Sequence, residues 1–163
     1  MDPEKAAVAA VRVLIERRQT LAVAESLTGG LLAATLVEIP GVSAVFRGGL
    51  VVYATDLKNA LAGVPEVLLK ERGPVDPDVA LALAAGARER CVADWGLATT
   101  GVAGPDPQDG KPVGLVYIAA AGPDGSAVRE LRLLGSRAEI RIATVATVLG
   151  LLIDELGKRP DPG

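Results

Sequence analysis

Apolar positions along this chain switch repeatedly between helical and strand periodicity. Between Pro3 and Arg18, Val8, Val11, Leu14 and Ile15 recur at helical spacing and predict an amphipathic helix with those four on one face. Leu21 to Ala24 is a short apolar run that predicts a buried strand. Leu31, Leu32, Leu36 and Ile39 then return to helical spacing until Pro40-Gly41 stops the helix. Val45 to Tyr53 predicts a second strand, in which Gly48-Gly49 implies a bulge or a close approach by another segment. Thr55 is the expected N-cap of a short helix with Leu57 and Leu61 toward the core. Asp76-Pro77 opens a longer helix, aspartate as cap and proline at the first helical position, running to about Cys91. Trp95 to Thr100 predicts a third strand. Val113 to Ala121 and Ala127 to Leu134 predict two more, joined by Gly122-Pro123-Asp124-Gly125, a connection so tight that the pair must be an antiparallel hairpin. Ser136 and Glu139 form a capping box for the last helix.

These elements define an α/β fold, a three-layer α/β/α sandwich. Its sheet is mixed and mostly parallel, with five strands, one of them antiparallel because of the hairpin. One domain over residues 1–156 is expected, with 157–163 a flexible tail. From Ile142 to Ile153 the last helix carries no charge and is apolar around most of its circumference. One face suits its own sheet and the rest predicts contact with a second copy, a homo-oligomer with a dimer favoured.

Composition then narrows the function. The net charge is −3, and the aromatics are only Phe46, Tyr53, Trp95 and Tyr117. An acidic chain so poor in stacking side chains does not suit nucleic acid. No uncharged stretch approaches the ~20 residues of a membrane helix, and the early charges Asp2, Glu4, Lys5 and Arg12 do not make a signal peptide. No membrane association and a cytoplasmic location are expected. A single cysteine, Cys91, rules out an intramolecular disulfide and predicts a small buried hydrophobe. The chain has no histidine, which excludes a Ser-His-Asp arrangement and any histidine metal site. A serine nucleophile here would need a lysine or a carboxylate as its base.

Three stretches could carry chemistry. Ser26 lies in the strand-to-helix turn Glu25-Ser26-Leu27-Thr28-Gly29-Gly30, where a hydroxyl meets the free N–H groups of a helix start. That pairing serves a nucleophile and its oxyanion, and equally a simple helix cap. Lys58 falls in the first turn of its short helix, where the helix dipole and partial burial would lower its pKa toward that of a base; an ordinary solvated lysine fits the same position. Arg137 and Arg141 lie one turn apart at the start of the last helix, suiting a bound anion or simply an exposed helix face. The long loop from Gly101 to Pro112 is of the kind that is functional or disordered.

With these residues in view, the chain resembles the CinA C-terminal domain family, whose active members are nicotinamide-nucleotide amidohydrolases. The matching segments are Ala24 to Gly30, Pro40 to Gly49, Tyr53 to Lys58 with Gly63-Val64, Thr100 to Asp106, Lys111 to Gly114 and Gly135 to Arg137. They occur in family order over nearly the whole chain. Leu133-Leu134-Gly135-Ser136-Arg137 departs from the family's usual Phe-Ser-Gly-Asp-Arg but keeps the arginine, and Asp76 stands where serine is common. The resemblance implies hydrolysis of the carboxamide of nicotinamide mononucleotide (NMN) to the acid and ammonia, with no metal or redox cofactor. It implies a catalytic pair, Ser26 and Lys58, with Tyr53 orienting the lysine or relaying a proton. Backbone N–H groups at Thr28, Gly29 and Gly30 would hold the oxyanion, Thr100, Gly101 and Gly104 would line the pocket, and Arg137, with Arg141, would hold the phosphate. It also implies the stand-alone form of the domain. Two other readings remain at this point: a homologue that binds a nucleotide without turning it over, and a Ser-Lys amidase for another small amide.

Overall fold

A computed structural model describes residues 1–158 of the chain. The elements run α1 (Pro3–Arg17), β1 (Leu21–Glu25), α2 (Leu31–Val37), a 3-10 turn (Val42–Ala44), β2 (Phe46–Val51), α3 (Thr55–Ala60), α4 (Glu66–Arg72), α5 (Pro77–Arg90), β3 (Trp95–Gly101), β4 (Leu115–Gly122), β5 (Gly125–Arg132) and α6 (Arg137–Gly157). The five strands form one mixed sheet in the order β2-β1-β3-β4-β5. β1 pairs in parallel with β2 and β3, and β4 pairs antiparallel with β3 and β5. β4 alone therefore opposes the others among the described strands, as the hairpin requires. The tail expected at 157–163 lies mostly outside the described residues; Gly157 ends α6 and Lys158 is its cap.

Strand alternation sends side chains into two cores. Leu21, Val23, Leu97, Val116 and Ile118 face one way, onto α1, α2 and α6. Ala22, Ala24, Ala98, Ala119 and Ala121 face the other way, into a core shared with α4 and α5. The second set is almost wholly alanine, so α5 sits close against the sheet. At Gly96 the approach is closest: a Cβ there would lie 2.0 Å from the carbonyl oxygen of Ala84 on α5. At Gly49 a Cβ would lie 2.6 Å from a methyl of Val23, and the register with β1 shifts at Leu21/Ala22, so β2 shows both the irregularity and the close approach its glycines imply.

Several local expectations are corrected. α1 buries Ala6, Ala7, Ala10, Val11 and Leu14, while Val8 and Ile15 are exposed. Small side chains make the contact because α1 packs on α6, and alanine allows two helices to approach closely. That contact also covers much of the apolar circumference of α6, while Ile142 stays exposed. Leu57 and Leu61 face outward and Thr55 is the first helical residue rather than the cap, for α3 turns Lys58 inward instead. Cys91 is only partly buried. α4 escapes the periodicity argument because its seven residues bury just Leu69. The caps at Asp76 and Ser136 are as expected: Asp76 accepts from the N–H groups of Asp78 and Val79, and Ser136 and Glu139 cap each other's backbone N–H groups.

Gly96→Ala should destabilise the fold by about 2 kcal/mol or more, because the added methyl meets backbone that cannot swing aside. A urea titration of both proteins, followed by far-UV circular dichroism, tests this; an unchanged midpoint would show that α5 can lift from the sheet freely.

Candidate active site

The order of the sheet reverses beside β1. The chain leaves β1 for β2 on one side and later enters β3 on the other, so a crevice opens beyond the carboxyl ends of these parallel strands. Ser26 follows β1 directly and stands in that crevice. Its N–H donates to the carbonyl of Thr99 on β3 at 3.0 Å. On the far side, the N–H of Val52 donates to the carbonyl of Glu25 at 2.8 Å, extending the β2 pairing past its last strand residue.

Two contacts shape the Ser26 turn. The fully buried carboxylate of Glu25 accepts from the N–H groups of Leu32 at 2.8 Å and Ala33 at 3.0 Å, capping α2. The residue in the cap position, Gly30, has no side chain to do so. Neither Ser26 nor Thr28 caps the helix. Thr28 instead bonds the hydroxyl of Thr99 at 2.8 Å. From the other side, Arg141 on α6 donates through Nε to the carbonyl of Leu27 and through a terminal nitrogen to that of Thr28, each at 2.9 Å.

Lys58 reaches Ser26 from α3. Its side chain is 1 % exposed. Nζ donates to Ser26 Oγ at 2.9 Å, to the carbonyl of Val52 at 2.8 Å and to that of Tyr53 at 3.2 Å. No carboxylate pairs with it among the described residues. Burial without a counter-charge lowers its pKa to about 8, because the ammonium form loses hydration that neutral acceptors replace only in part. When the amine is neutral, two N–H groups can stay on the two carbonyls, which leaves the nitrogen lone pair facing Ser26 Oγ.

A cavity of about 330 Å³ opens over the pair. Ser26, Tyr53, Lys58, Thr100, Gly101, Gly104 and Arg137 all line it, so seven of the residues singled out in the sequence come together. Thr28, Gly29, Gly30 and Arg141 do not line it. Tyr53 contacts Lys58 through its carbonyl; its phenol accepts from Arg137 at 2.9 Å. Arg137 also donates to the carbonyl of Gly104, tying the long loop to α6. Thr100 points its hydroxyl at the carbonyl of Pro74 at 2.7 Å.

Sequence reasoning missed three contributors. Asp106 and Gln108 line the cavity, and only their place in the long loop marked them. Glu25 had a clearer signal: a carboxylate ending an apolar strand, before a helix whose cap position is glycine. Among the described residues no three His, Cys, Asp or Glu side chains gather as a metal site, and no helix is long and apolar enough to cross a membrane.

A parallel-sheet crevice that holds a serine against a buried lysine defines a class of α/β protein, and comparison with known proteins identifies which. The model of the CinA C-terminal domain matches residues 3–156. A CinA-like protein of Frankia casuarinae is 52% identical over 149 residues, which cover 91% of this chain and 34% of that protein. A CinA-like protein of Geobacter sulfurreducens is 48% identical over 145 residues, 88% of this chain and 35% of its own length. The crystal structure of the competence/damage inducible protein CihA from Agrobacterium tumefaciens superposes with a TM-score of 0.91 at 39% identity, covering 96% of both chains. This chain belongs to the CinA C-terminal domain family, and it spans about a third of the length of these curated relatives.

Burial of Lys58 has a signed effect on stability. Its folded-state pKa, about 8, lies below the ordinary 10.5, so between those values the unfolded chain binds the proton that the folded chain has released. Stability from this group therefore rises with pH across that window, and below about 8 its full cost, about 3 kcal/mol, is present. Lys58→Met should be more stable relative to wild type at pH 7 than at pH 10. Urea midpoints of both proteins at the two pH values test this; a difference independent of pH would contradict a depressed lysine.

Proposed function

We propose that this chain is an amidohydrolase with Ser26 as nucleophile and Lys58 as general base, and that it converts NMN to nicotinate mononucleotide and ammonia. The observation that carries the reading is the 2.9 Å contact between Lys58 Nζ and Ser26 Oγ in a buried setting that depresses the lysine. A lysine kept without a carboxylate partner costs stability, and base catalysis gives a reason for that cost. Membership of the CinA C-terminal domain family supports the same reading.

In the reaction, neutral Lys58 takes the proton of Ser26 as Oγ bonds the carboxamide carbon and the carbonyl electrons move onto oxygen. The N–H of Leu27, a cavity-lining residue next to the nucleophile, stabilises that oxygen. The tetrahedral adduct collapses, the C–N bond breaks, and Lys58 returns its proton to the leaving nitrogen, which departs as ammonia. Water then attacks the acyl ester and gives a proton to Lys58. The ester C–O bond breaks, Ser26 is reprotonated, and the carboxylic acid leaves. Arg137 at the cavity rim has N–H groups beyond its two contacts with Gly104 and Tyr53 and suits a phosphate. Asp106, in no ion pair among the described residues, suits the positive charge of a pyridinium ring.

Ammonia release from NMN should follow the neutral fraction of Lys58, with kcat/KM rising about tenfold per pH unit below about 8 and levelling above it. Ser26→Ala and Lys58→Ala should each lose roughly a thousandfold or more. A coupled ammonia assay across pH 6 to 10 measures both. No release by folded wild type would end the NMN assignment, and full activity in Ser26→Ala would end the nucleophile assignment.

A further inference from the structure

The Ser26 turn presents backbone donors that meet no protein acceptor. Among the described residues, the N–H groups of Leu27 and Thr28 make no hydrogen bond, whereas Gly29 donates to the carbonyl of Ser26 at 3.0 Å and Leu31 to that of Thr28 at 2.9 Å. A trans peptide points its N–H opposite to its C=O. The Ser26 carbonyl, held by Gly29, therefore sets the direction of the Leu27 N–H. Arg141 holds the carbonyl of Thr28, the other end of the peptide that carries this Gly29 N–H, and also the carbonyl of Leu27 before it.

We infer that Arg141 is a positioning residue that, through the Thr28–Gly29 peptide, holds the Leu27 oxyanion donor of this site without touching substrate. The guanidinium spans two successive carbonyls, Leu27 and Thr28, each at 2.9 Å. It is the rigid fork geometry of arginine that allows one side chain to fix two peptide planes at once. Its own base is firm, since Ile140, Thr144 and Val145 beside it on α6 are fully buried. Arg141 is absent from the cavity lining, while Arg137, one turn earlier, is part of it. The two arginines thus divide the work, one facing the ligand space and the other the backbone that flanks the nucleophile. This inference rests on the Ser-Lys amidase reading and adds to it the group that aligns the oxyanion donor.

The test uses the full chain and variants Arg141→Gln and Arg141→Lys, each shown to be folded by circular dichroism and thermal unfolding. The probe is an alkyl fluorophosphonate, which reacts by forming a bond between Ser26 Oγ and phosphorus as the P–F bond breaks; fluoride leaves and Lys58 takes the serine proton. Labelling, read by intact mass, requires the nucleophile and its oxyanion donor but not NMN. We expect both variants to label roughly a hundredfold more slowly than wild type. With NMN as substrate, kcat should fall to a similar degree with KM little changed, and millimolar guanidinium should restore part of the rate in an Arg141→Gly variant. Equal labelling rates in folded variants would overturn the inference, as would a raised KM at unchanged kcat, which marks a substrate-binding arginine. Slowed labelling in a protein that does not hydrolyse NMN would uphold Arg141 and discard the substrate. A wild type that is not labelled at Ser26 would overturn the amidase reading and this inference together.

Discussion

A lysine amine held out of water is the constraint around which this site is built. Lys58 is among the largest fully buried side chains, and among the described residues no carboxylate pairs with it. Its three hydrogen bonds end on two main-chain carbonyls and one hydroxyl. The two carbonyls belong to Val52 and Tyr53, where the chain leaves β2, so the edge of the sheet and the start of α3 together set the lysine's direction. Burial lowers the pKa, and the carbonyls keep the amine aligned on Ser26 in either protonation state. Stability is lost in this arrangement, and the amine's pKa comes down to about 8.

The serine is held as firmly as the lysine. Glu25 ties the end of β1 to the start of α2 through two N–H groups, and Arg141 ties the turn to α6 through two carbonyls. A carboxylate satisfies donors at the start of α2 and a guanidinium satisfies acceptors in the turn before it, so the two charges hold the turn from its two ends. The turn spans only five residues between β1 and α2, yet contacts from β3 and α6 converge on it. Thr99, on β3, meets both the Ser26 N–H and the Thr28 hydroxyl.

The sheet makes this convergence possible. Because β1 lies between two parallel neighbours, the loops after β1, β2 and β3 all emerge at one end, and Ser26, Lys58 and the Thr100-Gly101 wall come from those three strand ends. Alanines on one face bring α5 close enough to shut that side of the core, and Gly96 marks the tightest point. The long loop after β3 is then pulled over the crevice by Arg137, which contacts both Gly104 and Tyr53.

Much of this was legible along the chain. Periodicity located all five described strands: two-faced burial leaves continuous apolar runs in β1, β3 and β4, and the tight Gly122 to Gly125 link admits one pairing only for β5. The caps at Asp76 and Ser136 are local chemistry and needed no fold. The absence of histidine restricted a serine nucleophile to a lysine or carboxylate base, and the segment resemblance pointed to Ser26 and Lys58. What the sequence could not decide was which face of each helix turns inward. In α3 the leucines face outward and the lysine inward, toward the carbonyls at the end of β2 and the Ser26 hydroxyl. In α1 alanine makes the helix contact in place of larger side chains. Arg137 and Arg141 look equivalent on a helix, and only the packing of α6 over the Ser26 turn sends one to the cavity and the other to the backbone. Local pattern settles which elements form. The direction of a polar side chain depends on partners distant in sequence, and tertiary structure alone brings those partners within hydrogen-bonding distance.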